Sequence, residues 1–154
     1  MATHVSLLAR FDHAEYRLCR RLNRGVQHTW LRVFFMSASR LGDGVVWYAL
    51  MLVLPLIYGA QGLNVALVML ATSAINLAAY KFLKRTFVRE RPFIRHAGIS
   101  LAGAPLDRYS FPSGHTLHAV AFTWQACAAF PELSFALVPL ALAIAGSRVV
   151  LGLH

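Results

Sequence analysis

Residues 45–80 read VVWYALMLVLPLIYGA, then Gln61-Gly62, then LNVALVMLATSAINLAAY. Two apolar runs joined by two turn-forming residues leave room only for a hairpin of antiparallel helices. The first run is slightly short for a membrane span and carries Pro55. The second is more polar inside, with Asn64, Thr72, Ser73 and Asn76. A spanning helix needs about 20 apolar residues, within a range of about 17–25. The same arrangement returns downstream, where residues 115–130 and 133–153 are apolar and Pro131-Glu132 joins them. The fold expected is all-α: an integral-membrane helical bundle with four spanning helices in two hairpins.

Composition agrees with lipid as the main solvent. Of 154 residues, 58% are hydrophobic and 14% charged, well below the roughly 25% charged of soluble domains. The formal net charge is nevertheless +9. An apolar yet basic chain fits a membrane protein that handles anions or sits against anionic headgroups. Nucleic acid is the usual rival partner for a basic chain. It is not expected here, because the charges form no stripe on a soluble fold. The arginines before residue 44, the basic residues of 81–108, and Arg148 account for all 15 Lys and Arg. Four crossings would put every one of them on one membrane face, and neither hairpin tip carries a basic residue.

Upstream, Leu7, Leu8, Phe11, Tyr16, Leu18, Leu22, Val26, Trp30, Leu31 and Phe34 recur at roughly helical spacing among arginines. That pattern reads as one or two interfacial amphipathic helices at the N-terminus, with a soluble helical hairpin packed on the bundle as the alternative. Residues 39–44 (SRLGDG) form a turn-rich lead into the first span. The whole of 1–154 reads as a single membrane domain, with 1–44 as its N-terminal arm and 45–154 as the bundle. Charged residues from Arg10 to Arg24 precede any long apolar run, so no secretory signal pattern is visible. Cys19 and Cys127 have no metal-type spacing, and a disulfide between them is not expected.

Three short motifs carry polar chemistry. Lys84, Arg91 and Pro92 are spaced K-x6-R-P. If the second helix continues past Tyr80, Lys84 and Arg91 lie two turns apart on one face. They would clamp a phosphate dianion, with Arg binding two oxygens at once, although a basic run after a span also anchors a helix among headgroups. Next comes Pro112-Ser113-Gly114-His115. Ser113 offers a hydroxyl, Gly114 lets backbone approach an oxyanion, and a helix N-terminus favours an anion. A histidine there could protonate a leaving oxygen; an ordinary serine-capped helix start would look the same. His118, one turn on, reads as packing or as support for a neighbouring site group rather than as catalytic. The third is Ser147-Arg148 followed by His154, S-R-x5-H. An arginine inside an apolar helix is costly unless it faces a polar cavity or a partner.

In this order, K-x6-RP, PSGH and SR-x5-H resemble the signature of the type 2 phosphatidic acid phosphatase family, whose site is shared with vanadium-dependent haloperoxidases. The motifs cover nearly half of the chain, and residues 40–44 match more loosely. The resemblance implies that Lys84, Arg91 and Arg148 bind the phosphate, with Ser113 and the Gly114 backbone completing the cradle. It implies His154 as the nucleophile that becomes a phosphohistidine and His115 as the acid for the leaving group. Three cations would neutralise the phosphate without a metal, so no metal or other cofactor is expected. By analogy the substrate is a lipid phosphate or an isoprenoid diphosphate such as undecaprenyl diphosphate, and the location a bacterial inner membrane.

The family pattern continues to an aspartate four residues past the nucleophile, which orients it. This sequence stops at His154, and the expectation is a C-terminally truncated piece of a longer phosphatase, with its bundle incomplete. Two alternatives follow from the same residues: a vanadate-dependent haloperoxidase-like protein, and a non-catalytic phospholipid-binding remnant that lacks the orienting Asp. Orientation is open between the positive-inside rule, which puts the basic face in the cytoplasm, and the outward-facing site of bacterial carrier-lipid relatives. Oligomeric state is not legible.

Overall fold

A computed structural model describes residues 21–23, 27–86 and 112–152. The elements in them are all helical. Helix α1 is Thr29–Leu41, α2 is Val45–Thr86, α3 is Gly114–Ala129 and α4 is Ser134–Val150, with a 3-10 turn at Pro131–Leu133 between the last two.

Helix α2 is 42 residues long and contains a break at Gly59, whose φ of 57° and ψ of −134° lie outside helical space. A straight helix of that length would reach about 63 Å, twice a bilayer core. Instead the chain doubles back. A Cβ on Gly62 would stand 2.1 Å from the carbonyl oxygen of Leu54, so the two arms meet there backbone to backbone. Trp47 and Met51 of the first arm face the same cavity as Leu77 and Tyr80 of the second. Glycine is required at 59 for its conformation and at 62 for the approach. The reversal expected at Gln61-Gly62 thus begins at Gly59.

The arms of α2 pack with α3 and α4 around Trp47, Leu54, Met69, Phe122, Phe130 and Ile144, all buried. Ala119, Ala126 and Ala141 are buried between them, small enough to let backbones approach. Trp47 meets Phe122 edge-on at 5.6 Å. At the hairpin tips, Tyr58 stacks on Phe130 at 3.7 Å and donates to Glu132 at 2.6 Å. Between the arms and α3, Gln125 donates to Thr72 at 2.6 Å.

Two helices are long and apolar enough to cross a membrane, Val45–Thr86 and Pro131–Val150, rather than the four expected. The first two expected spans are merged into one helical run broken at Gly59. The third is a helix of 16 residues, short of a span. In the two that qualify, 17% and 33% of the most apolar window is buried against protein. A core helix of a soluble domain would be mostly buried; these turn their apolar side chains outward. Leu56, Ile57, Trp124, Phe135 and Leu142 are all exposed, a distribution that suits lipid contact and would be a liability in water.

Of the N-terminal arm, residues 21–23 and 27–44 are described. Helix α1 packs along α4 with Ala38 buried, while Trp30, Val33 and Phe34 point outward. Asn23 donates to the carbonyl of Val150 at 2.9 Å.

Candidate active site

The site lies where the α1–α2 turn, the end of α2 and the start of α3 meet the last turns of α4. The helix that begins at residue 60 runs on to Thr86, so it carries Lys84 past the apolar stretch. The Lys84 ammonium donates to the Tyr80 hydroxyl at 2.7 Å and lies 4.6 Å over that ring. Tyr80 also abuts the loop opposite: a Cβ on Gly114 would lie 3.5 Å from its ring. One tyrosine thus spaces the ammonium from the glycine.

Helix α3 starts at Gly114 because Ser113 caps it. Ser113 has extended backbone, and its hydroxyl accepts from the Thr116 N–H at 3.4 Å. This satisfies one of the first-turn donors and leaves those before it directed outward. His115 sits in that first turn, 8% exposed, and its Nε2 is hydrogen-bonded to the Asp43 carboxylate. His118 is bonded through Nδ1 to the Gly114 carbonyl at 2.9 Å and meets Phe122 edge-on.

Arg148 is 3% exposed in the last turn of α4. Its Nη1 donates to the Ser39 hydroxyl at 2.9 Å. An arginine so deep in an apolar helix needs polar surroundings, and it has them in Ser39 and in the cavity it faces. That cavity, of about 500 Å³, is lined by Asp43, Lys84, Gly114, His115 and Arg148 together with apolar side chains including Trp47, Met51, Leu77 and Phe122.

Of the residues singled out from sequence, Lys84, Gly114, His115 and Arg148 therefore face one space. Ser113 adjoins it, with its hydroxyl engaged in the cap. Arg91 and His154 lie outside the described residues. Ser39, Asp43 and Tyr80 were not singled out. The signal for Asp43 was there, an acidic residue between two glycines just before a span, but nothing in the sequence paired it with His115.

The helical bundle thus turns two cations, a histidine and a helix N-terminus onto one cavity, an arrangement whose charge complements an anion. The PAP2 superfamily model matches residues 61–154, and the chain belongs to that superfamily. Membership supports a phosphatase-type function. Comparison with curated proteins and with solved structures gave no match.

Proposed function

We propose that this protein is an integral-membrane phosphatase that hydrolyses a lipid phosphate or isoprenoid diphosphate through a phosphohistidine. The observation that carries the reading is the mixed lining of the cavity, in which Lys84, His115 and Arg148 face the same space as Trp47, Met51, Leu77 and Phe122. A phosphate would meet the charged groups, and the first isoprene or acyl carbons the apolar side chains. The outward-facing apolar side chains of α2 and α4 support a lipid-embedded protein to which such a substrate comes laterally.

In this reading Lys84, Arg91 and Arg148 neutralise the phosphoryl oxygens, and Ser113 and the Gly114 backbone complete the cradle. The His154 imidazole attacks phosphorus while the bond to the leaving oxygen breaks, and His115 gives that oxygen its proton. Water then attacks phosphorus as its proton passes to His115, the P–N bond breaks, and inorganic phosphate leaves with both histidines regenerated. Phosphoryl transfer depends mainly on positioning and charge neutralisation, which cations facing the start of α3 would supply.

The test is phosphate release by the full-length protein in detergent micelles containing phosphatidic acid or an isoprenyl diphosphate. Release should disappear in His154→Ala and His115→Ala. A phosphoenzyme stable to alkali and labile to acid should form in the parent and be missing from His154→Ala. Unchanged release in both variants would overturn the assignment.

A further inference from the structure

We propose that the α1–α2 turn belongs to the reaction machinery: Asp43 positions the acid His115, and Ser39 positions the phosphate-binding Arg148. The inference rests on the phosphatase reading above. It concerns residues that precede the matched 61–154.

The turn is built to hold its place. The Gly42 N–H bonds to the Ala38 carbonyl at 3.0 Å and the Asp43 N–H to the Arg40 carbonyl at 3.1 Å, so the turn is tied to the end of α1. On the other side the Gly44 carbonyl accepts from Trp47 and Tyr48, both at 3.0 Å, and opens α2. Gly44 has φ +121°, a conformation that favours glycine. At Gly42 a Cβ would stand 2.8 Å from Ile144 Cγ2 and 3.1 Å from His115 Cδ2. The backbone of the turn therefore rests directly on the imidazole and on α4, with no space for a side chain.

Those contacts place Asp43 against Nε2 of His115. A carboxylate beside a phosphate site repels the substrate unless it serves a neighbouring group, and the group it serves here is the imidazole. A neutral imidazole has two tautomers, and a carboxylate on one nitrogen selects between them and fixes the ring. With Nε2–H held by Asp43, the nitrogen that exchanges a proton with the substrate is Nδ1. The Nδ1 proton passes to the leaving oxygen and the neutral ring keeps Nε2–H on Asp43. Burial and the Arg148 charge disfavour the imidazolium from which that proton comes, and the carboxylate opposes them. Ser39 acts on a different step. It receives Arg148 Nη1 and so sets where the guanidinium meets the phosphate.

Kinetics with two leaving groups separate these roles. A lipid phosphate must have its alkoxide protonated, whereas p-nitrophenyl phosphate releases a stable phenolate that needs no acid. For Asp43→Asn, kcat on the lipid phosphate should fall about 10–100-fold, as for other partners that orient a histidine, with KM little changed. On the nitrophenyl ester kcat should stay close to the parent. Asp43→Ala should behave in the same way, and Asp43→Glu should recover part of the loss. Ser39→Ala should raise KM on both substrates and leave kcat largely intact. Equal losses on both substrates in the Asp43 variants would mean a structural role, and parent-like rates on both would mean none; either result overturns the inference. His115→Ala separates this from the underlying reading. If it is inactive on lipid phosphate while Asp43→Asn is parent-like, only the role of Asp43 fails. If His115→Ala is fully active, the acid assignment itself fails.

Discussion

The guanidinium of Arg148 donates to the hydroxyl of Ser39 at 2.9 Å, across 109 residues of sequence. The bond joins the last turn of α4 to the last turn of α1 and leaves the arginine 3% exposed at the edge of the cavity. Such a side chain is costly to bury and is kept where its charge is used.

Arg148→Ala should lower kcat/KM for lipid phosphate by about 10²–10³-fold, the scale for losing one fixed donor to a developing charge. Arg148→Lys should recover only part of this, because an ammonium lacks the planar fork that grips two oxygens. Phosphate release from micellar substrate measures both. Full activity in the lysine variant would show that charge alone suffices there.

The two glycines of the α2 reversal should respond differently to alanine. At Gly62 the new methyl would meet the Leu54 carbonyl at 2.1 Å, a backbone clash that only a shift of the arms relieves. At Gly59 nothing lies within 4 Å, so the penalty is backbone strain of about 1–3 kcal/mol. Thermal melting in detergent should show Gly62→Ala losing more than Gly59→Ala, and the opposite order would contradict the backbone contact between the arms.

Packing should outweigh polar contact in the bundle. Phe122 is 2% exposed against Trp47, and Phe122→Ala should cost about 3–5 kcal/mol, the usual range for a buried phenylalanine. Gln125→Leu removes the bond to Thr72, and interhelical hydrogen bonds in membranes average about 0.6 kcal/mol. Melting temperatures of the two variants should therefore differ clearly, with Phe122→Ala the lower.

A chelator should leave phosphate release unchanged, because the proposed cradle neutralises the phosphate with Lys84, Arg91 and Arg148. Orthovanadate, which adopts the five-coordinate geometry of a transferring phosphoryl group, should compete with substrate. Strong inhibition by the chelator would overturn the cation-only cradle. Bromide oxidation that depends on vanadate and peroxide would instead favour the haloperoxidase-like alternative.

How much of this was legible in advance differs from element to element. Helix type and the apolar stretches around Val45, Leu63 and Leu133 were readable, because hydropathy is a property of contiguous residues. The number of spanning helices was not. Composition alone could not show that the first two runs merge through Gly59, or that the third forms a helix of only 16 residues. Lys84, His115 and Arg148 could be singled out because charged and titratable groups stand out beside apolar runs. Tyr80 could not, since nothing local distinguishes it from any aromatic near a helix end.

By itself, the sequence determined that this is an apolar, basic, helical chain with three short polar motifs in the order that carries the family resemblance. Those features depend on residue type and short-range spacing. Tertiary structure alone decided that Asp43 meets His115, that Ser39 receives Arg148, and that Gly62 closes the α2 hairpin on Leu54. The first two contacts join groups 72 and 109 residues apart, and all three depend on how the helices pack rather than on local propensity.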